Sequence, residues 1–164
     1  MENGCLYKCL EHRTKMGRCE NVTLTNMCMI RRGDQVLVQQ RTDPVWPGIC
    51  FPGGHVEKNE PVALSVIREV REETGLTIKK PRLCGIKEFY LEKGGGRYLV
   101  FLFLADAFTG ELRSSSEGEV FWIPRSELES QNLAEDFACM LKVFEQNEIS
   151  ECCWFEADSD WVYI

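Results

Sequence analysis

The chain has 164 residues, 44% hydrophobic and 27% charged, with a net charge of −7 and nine cysteines. That length suits one domain with a single well-buried core, and no apolar run approaches the ~18 residues that a membrane-spanning helix needs. The acidic balance argues against a nucleic-acid polymer as partner, because such affinity comes from neutralising phosphates with Lys and Arg.

Residues 1–20 carry Lys8, His12, Arg13, Lys15 and Arg18 without an apolar block, which does not resemble a secretory signal. A cytoplasmic location is therefore expected. Cys5, Cys9, His12 and Cys19 supply the number of soft ligands that a tetrahedral zinc site wants, but their spacing is not a standard zinc pattern. The segment reads instead as a poorly ordered N-terminal extension, with one domain over residues 21–164. The remaining cysteines include Cys28, Cys84 and Cys139 inside or beside apolar residues, and the total is odd; buried reduced thiols are expected.

Val22 to Ile30 and Gln35 to Gln40 are β-rich runs joined by Arg31-Arg32-Gly33-Asp34, a hairpin with Gly in the turn. A loop with Pro44 and Pro47 leads into Ile49-Cys50-Phe51-Pro52 and then Gly53-Gly54. The spacing predicts a helix over 61–74, starting at Pro61, where a missing N–H costs nothing, and stopping at Gly75. At about 100° per residue, Glu69, Glu72 and Glu73 share an arc of roughly 100°. Ala63, Val66, Ile67, Val70 and Thr74 occupy a neighbouring arc that can bury against a sheet.

Like charges so close either raise one another's pKa or recruit a counter-ion. Oxygen-only ligands favour magnesium or manganese, and magnesium keeps several waters and borrows substrate phosphates as ligands, so a polyphosphate substrate suits the cluster. The competing reading is a solvated charge run in which Arg68 and Arg71 pair with the acids.

Further along, Leu83 to Leu91 and Tyr98 to Asp106 form a second hairpin around Gly94-Gly95-Gly96, and Val120 to Ile123 is a short strand. Leu133 to Gln146 reads as an amphipathic helix with Leu133, Phe137, Met140, Leu141 and Phe144 at helical spacing. The tail, Cys153 to Phe155 and Trp161 to Ile164, closes as a last hairpin or serves as an association edge. This order fits an α/β (α+β) fold with a mixed β-sheet between helices.

Gly54, five residues, Glu60, seven residues, Arg68-Glu69, an apolar residue, one more, Glu72-Glu73, one more, Gly75 and apolar Leu76 together match the signature box of the Nudix hydrolases at every specified position. The resemblance implies a Nudix α/β/α sandwich over roughly residues 22–147. It also implies hydrolysis of a nucleoside diphosphate linked to another group, with Mg2+ (or Mn2+ as substitute) polarising phosphoryl oxygens, activating water and stabilising the leaving group. By motif position, Glu69 and Glu73 are the principal metal ligands, with Glu72 a third or acting through water and the Gly53 carbonyl an additional one. Arg68 pairs with a neighbouring glutamate, and Gly54, Glu60 and Gly75 support the motif. Glu69 is the first choice for general base, and Glu117, which is also a further metal ligand, the second.

The stretch Trp46 to Gly54 resembles the small bacterial 8-oxo-dGTP diphosphatase (MutT-like) branch, which implies cleavage of 8-oxo-dGTP to 8-oxo-dGMP and pyrophosphate. Arg41 would meet phosphate, while Trp46, Phe89, Asn132, Glu135 and Asp136 would meet the base. ADP-ribose, dinucleoside polyphosphates and ordinary nucleoside triphosphates are alternative substrates, and a non-catalytic nucleotide-binding module is the alternative class. A small-molecule nucleotide is the expected partner, with no membrane, and the chain a monomer or homodimer.

Overall fold

The computed structural model describes residues 20–91, 96–154 and 160–164. The N-terminal ligands Cys5, Cys9, His12 and Cys19, the turn glycines Gly94 and Gly95, and Phe155 lie outside the described residues.

In chain order the strands are β1 (Val22–Arg32), β2 (Gln35–Arg41), β3 (Gly48–Cys50), β4 (Leu76–Ile78), β5 (Arg82–Leu91), β6 (Gly96–Ala105), β7 (Phe108–Gly110), β8 (Gly118–Pro124), β9 (Glu151–Trp154) and β10 (Val162–Tyr163). Helix α1 spans Val62–Thr74, a 3-10 helix spans Arg125–Ser130, and helix α2 spans Cys139–Glu145. The β1–β2 hairpin forms as expected, with Gly33 at φ 64, but it pairs only at Arg31↔Val36 and Arg32↔Gln35. Beyond that the two strands part: β1 runs parallel to β6, while β2 is sandwiched between β3 and β8, antiparallel to both. On the far side of β6, β5 pairs antiparallel, β9 joins β5 in parallel, and β10 closes the tail hairpin on β9.

Alternation along β1 gives each sheet face its own core. Met27 and Met29 face one cluster with Phe51, Phe137, Met140 and Phe144, where Phe51 meets Phe137 and Phe144 edge-on at 4.9 and 5.4 Å. Cys28 and Ile30 face the other, with Leu37, Val66, Val70 and Phe103 beneath α1. The helices thus cover opposite faces of a mixed sheet, the expected α/β/α arrangement.

Three expectations change. The late helix covers Cys139–Glu145 rather than 133–146, because residues 131–138 dock on β3 instead. Ala134 N–H donates to the Ile49 carbonyl at 2.9 Å, Leu133 bridges Ile49, and Asp136 turns at φ 55, which no helix accommodates. Ala63 is exposed, and Ser65 takes the buried place, accepting from Asn26 Nδ2 at 2.9 Å and donating to the His55 carbonyl. Cys84 is half-buried, whereas Cys28 and Cys139 are buried, and all three are free thiols. The β4–β7 pair, Leu76↔Gly110 to Ile78↔Phe108, had no signal in the hydrophobic pattern.

Candidate active site

Helix α1 is fixed at both ends before it presents any acid. Pro61 precedes it, Gly75 ends it at φ 74 with its N–H on the Arg71 carbonyl, and buried Thr74 bonds back to Val70 at 2.6 Å. Arg68 is the hub of its polar edge. Its Nε and Nη2 donate to Glu60 at 2.8 Å each, its Nη1 to Glu69 at 2.8 Å and Glu72 at 3.1 Å, and its Nη2 also to the His55 carbonyl at 3.1 Å. The guanidinium holds Glu60 well below the usual carboxylate range, at about 2, and the acids push Arg68 further up. Glu60 also accepts from the Glu57 N–H at 3.0 Å, so one planar fork ties the loop before α1 to the helix.

The Gly53-Gly54 strap sits against this edge. The Pro52 and Gly54 carbonyls accept from β1 at Cys28 and Asn26, so the intervening Gly53 faces away from β1, and its N–H donates to Glu73 Oε2 at 2.8 Å. A Cβ on Gly53 would lie 2.2 Å from the Asn26 carbonyl oxygen, and one on Gly54 2.6 Å from Glu69 Oε2. Only glycines let the strap lie between β1 and the acids.

Glu73 is 2% exposed, and among the described residues its Oε1 has no hydrogen-bond partner. Burial and the neighbouring Glu117 and Glu69 carboxylates hold its carboxyl well above the ordinary value; the Gly53 N–H opposes them. Burial raises Glu69 too, against the pull of Arg68. Glu69, Glu73 and Glu117 therefore form an electrostatically connected carboxylate cluster. Among the described residues no group of three or more acidic, imidazole or thiol side chains is arranged to hold a metal ion as it stands.

Glu69 and Glu117 open into a cleft of about 700 Å³, within the range that holds a nucleotide-sized ligand, while buried Glu73 is not part of its lining. Gly53, Gly54, Glu69 and Glu117 line its acidic end, and Trp46, Phe89, Tyr98, Trp154 and Trp161 are its aromatic walls. Phe89 stacks on Tyr98 at 4.9 Å. A second depression, of about 660 Å³ at the β1–β2 turn, is lined by Arg31, Arg32, Lys79 and Asp106 and contains none of the box acids.

Arg41 reaches the cleft but is already engaged: it donates to Asp43 at 3.1 Å and the Trp46 carbonyl, and lies 5.2 Å over the Trp46 ring. Trp46, Glu135 and Asp136 also line the cleft, with Trp46 Nε1 donating to the Glu135 carbonyl. Asn132 does not join the cleft lining among the described residues; it is exposed, and its carbonyl accepts from Ile49 N–H as part of the docked loop. Glu72 is 59% exposed, paired with Arg68 and likewise absent from that lining. Sequence reasoning missed Asn26, His55, Lys87, Tyr98 and Trp161, all of which line the cleft. The usable signal was Lys87, a charge two residues from Phe89 on the same strand face.

Acids at one end of an aromatic-walled cleft define a candidate ligand-binding and catalytic site. The NUDIX domain model matches residues 23–144, and the chain belongs to the Nudix hydrolase family. It is 35% identical over 111 residues to the uncharacterized Nudix hydrolase YvcI of Bacillus subtilis, covering 65% of this chain and 69% of that protein. It is 30% identical to an ADP-ribose pyrophosphatase of Methanocaldococcus jannaschii, covering 66% and 69%. It is 29% identical to the human 8-oxo-dGDP phosphatase NUDT18, covering 69% and 35%. The MutT Nudix hydrolase structure from Burkholderia pseudomallei superposes with a TM-score of 0.66 at 26% identity, covering 75% of this chain and 98% of that one. The chain is accordingly a hydrolase, and no helix among the described residues is long and apolar enough to cross a membrane.

Proposed function

We propose that this chain hydrolyses 8-oxo-dGTP to 8-oxo-dGMP and pyrophosphate, using a divalent cation, Mg2+ or Mn2+. The observation that carries the reading is the buried Glu73 Oε1, without a hydrogen-bond partner among the described residues, beside Glu69 and Glu117, which line the acidic end of an aromatic cleft. An oxygen-only donor set with one buried acceptor in reserve fits a hard cation.

Glu69, Glu73 and Glu117, with the carbonyl of Gly53, would hold the ion. Glu72, which does not line the cleft, contributes through water. When bound, the cation supplies Lewis acidity and charge neutralisation at the phosphoryl oxygens. Glu69 takes the proton from the attacking water: it lines the cleft, and burial raises its pKa toward working pH. Arg68 keeps Glu69 in register from behind, and Arg41 exchanges Asp43 for a phosphate oxygen. Comparing the pH–rate profiles of Glu69→Gln and Glu117→Gln distinguishes the two candidates for the base.

The choice of an oxidised guanine nucleotide is supported by the relative that is an 8-oxo-dGDP phosphatase and by the aromatic walls. ADP-ribose is the second reading, favoured by the archaeal relative. A binding module without catalysis is disfavoured, because Glu60, Glu69, Glu72 and Glu73 are all retained. Free thiols at Cys28, Cys50 and Cys152 support a reducing, cytoplasmic setting. The test is release of pyrophosphate or phosphate from a nucleotide panel with and without magnesium. Preference for 8-oxo-dGTP over dGTP in kcat/KM supports the proposal; preference for ADP-ribose replaces it with the second reading.

A further inference from the structure

We infer that Lys87, held by the C-terminal hairpin, reads the base of the nucleotide and selects a 6-oxopurine over a 6-aminopurine. The inference rests on the nucleotide-hydrolase reading above and names the part of the chain that chooses the nucleoside.

Lys87 is 5% exposed yet lines the cleft. Its ammonium donates to the Asp136 carbonyl at 3.0 Å and lies 4.4 Å from the Trp161 ring centroid and 5.6 Å from that of Phe89. An ammonium has three donors and no acceptor, so beyond its bond to the Asp136 carbonyl it has donors to offer an acceptor in the cleft.

Register places it correctly. Thr25, Val100 and Lys87 are Cα partners across β1, β6 and β5, so Lys87 sits two strand spacings, about 10 Å, from Thr25. Thr25 is next to Asn26, whose N–H binds the Gly54 carbonyl at the acidic end. Phosphates held by the acids would therefore put a base near Lys87, between aromatic faces.

The position of that lysine is set by residues beyond the family match, which ends at residue 144. β9 pairs with β5 at Lys87↔Cys152 and Phe89↔Trp154, and Trp161 Nε1 donates to Asp136 Oδ1 at 3.2 Å. Asp136, in turn, owes its φ of 55 to the loop that docks on β3 instead of continuing α2. Guanine offers an oxygen acceptor at position 6, whereas adenine offers an amino donor there. A donor-only ammonium donates to the first and has nothing to offer the second.

The test has two arms. Binding of GMP, IMP and AMP, read by tryptophan fluorescence without added metal, probes the pocket apart from chemistry. Values of kcat/KM for the guanine, hypoxanthine, adenine and 2,6-diaminopurine triphosphates with magnesium probe it during turnover. We expect GMP and IMP to bind roughly 10-fold or more tighter than AMP. Lys87→Met, which keeps the apolar stem, should lose that difference, and Lys87→Arg should keep it. The two oxo substrates should exceed the two amino substrates in the same order. Equal binding of GMP and AMP by the wild type, or an equal loss on every base in Lys87→Met, overturns the inference. Should Lys87→Met show no folded melting transition, the wild-type ranking of the oxo and amino bases decides alone. Absence of hydrolysis of all four triphosphates with base preference intact in the binding arm would instead overturn the hydrolase proposal and leave the pocket standing.

Discussion

Replacing Glu73 by Gln should stabilise the metal-free protein while abolishing its response to metal. The carboxyl is 2% exposed, its Oε1 has no hydrogen-bond partner among the described residues, and its pKa is raised chiefly by burial and by the neighbouring Glu117. The isosteric amide keeps an oxygen for the Gly53 N–H and removes the buried charge beside Glu117 and Glu69. Relief of one desolvated, unsatisfied polar atom is worth about 1–3 kcal/mol, or roughly 4–8 °C in Tm for a gain near 2 kcal/mol in a chain of this size. The sign with pH follows from linkage. Glu73 binds its proton more tightly folded than unfolded, so wild-type stability is fullest below the unfolded value of 4.5 and declines as pH rises above it. The advantage of Glu73→Gln should accordingly grow from pH 5 to pH 8. A saturating divalent cation should raise the wild type, by about 2.7 kcal/mol at a hundred times Kd, and leave the variant unmoved. Thermal melts with chelator and with magnesium measure both effects. A variant less stable than wild type in chelator at pH 8, or one with an undiminished magnesium shift, refutes the reasoning.

Three further perturbations separate architecture from chemistry. Gly54→Ala sets a methyl 2.6 Å from Glu69 Oε2, the far end of a flexible side chain, so the fold should persist while kcat falls on the order of 100-fold; Gly53→Ala meets the Asn26 backbone at 2.2 Å and should lower Tm as well. Arg68→Ala leaves Glu60 and Glu69 without their counter-charge and should lower the urea midpoint, with little rescue by Arg68→Lys, because an ammonium cannot reproduce the fork to Glu60. Glu60, depressed to about 2, contributes stability that is complete above pH 4.5 and lost as pH falls through about 2; Glu60→Gln should flatten that acid limb in pH-dependent melts.

Much of the catalytic half was legible because it is local. Pro61, the 3.6-residue period and Gly75 define α1 without reference to the rest of the chain, and the box spacing places Arg68 between Glu60, Glu69 and Glu72. The substrate half was poorly legible because it is assembled across strands. Lys87, Tyr98 and Trp161 meet only after β1, β6, β5 and β9 have paired, and Asn132 left the cleft because the loop around it bonds to β3. The period of Leu133 to Phe144 correctly marks core positions, yet tertiary docking of Ala134 and the turn at Asp136 override helix propensity there. Glu72 shows the opposite limit: helical spacing gives its direction along α1, but not that it pairs with Arg68 outside the cleft.

The most direct measurement of the central claim is product analysis of nucleoside triphosphate turnover by wild type and Glu73→Gln, with magnesium and with chelator. The account predicts nucleoside monophosphate and pyrophosphate from the wild type only when metal is present, and a loss of at least about 100-fold in the variant. Undiminished turnover in Glu73→Gln or in chelator, or no turnover of any nucleotide with metal present, would contradict it.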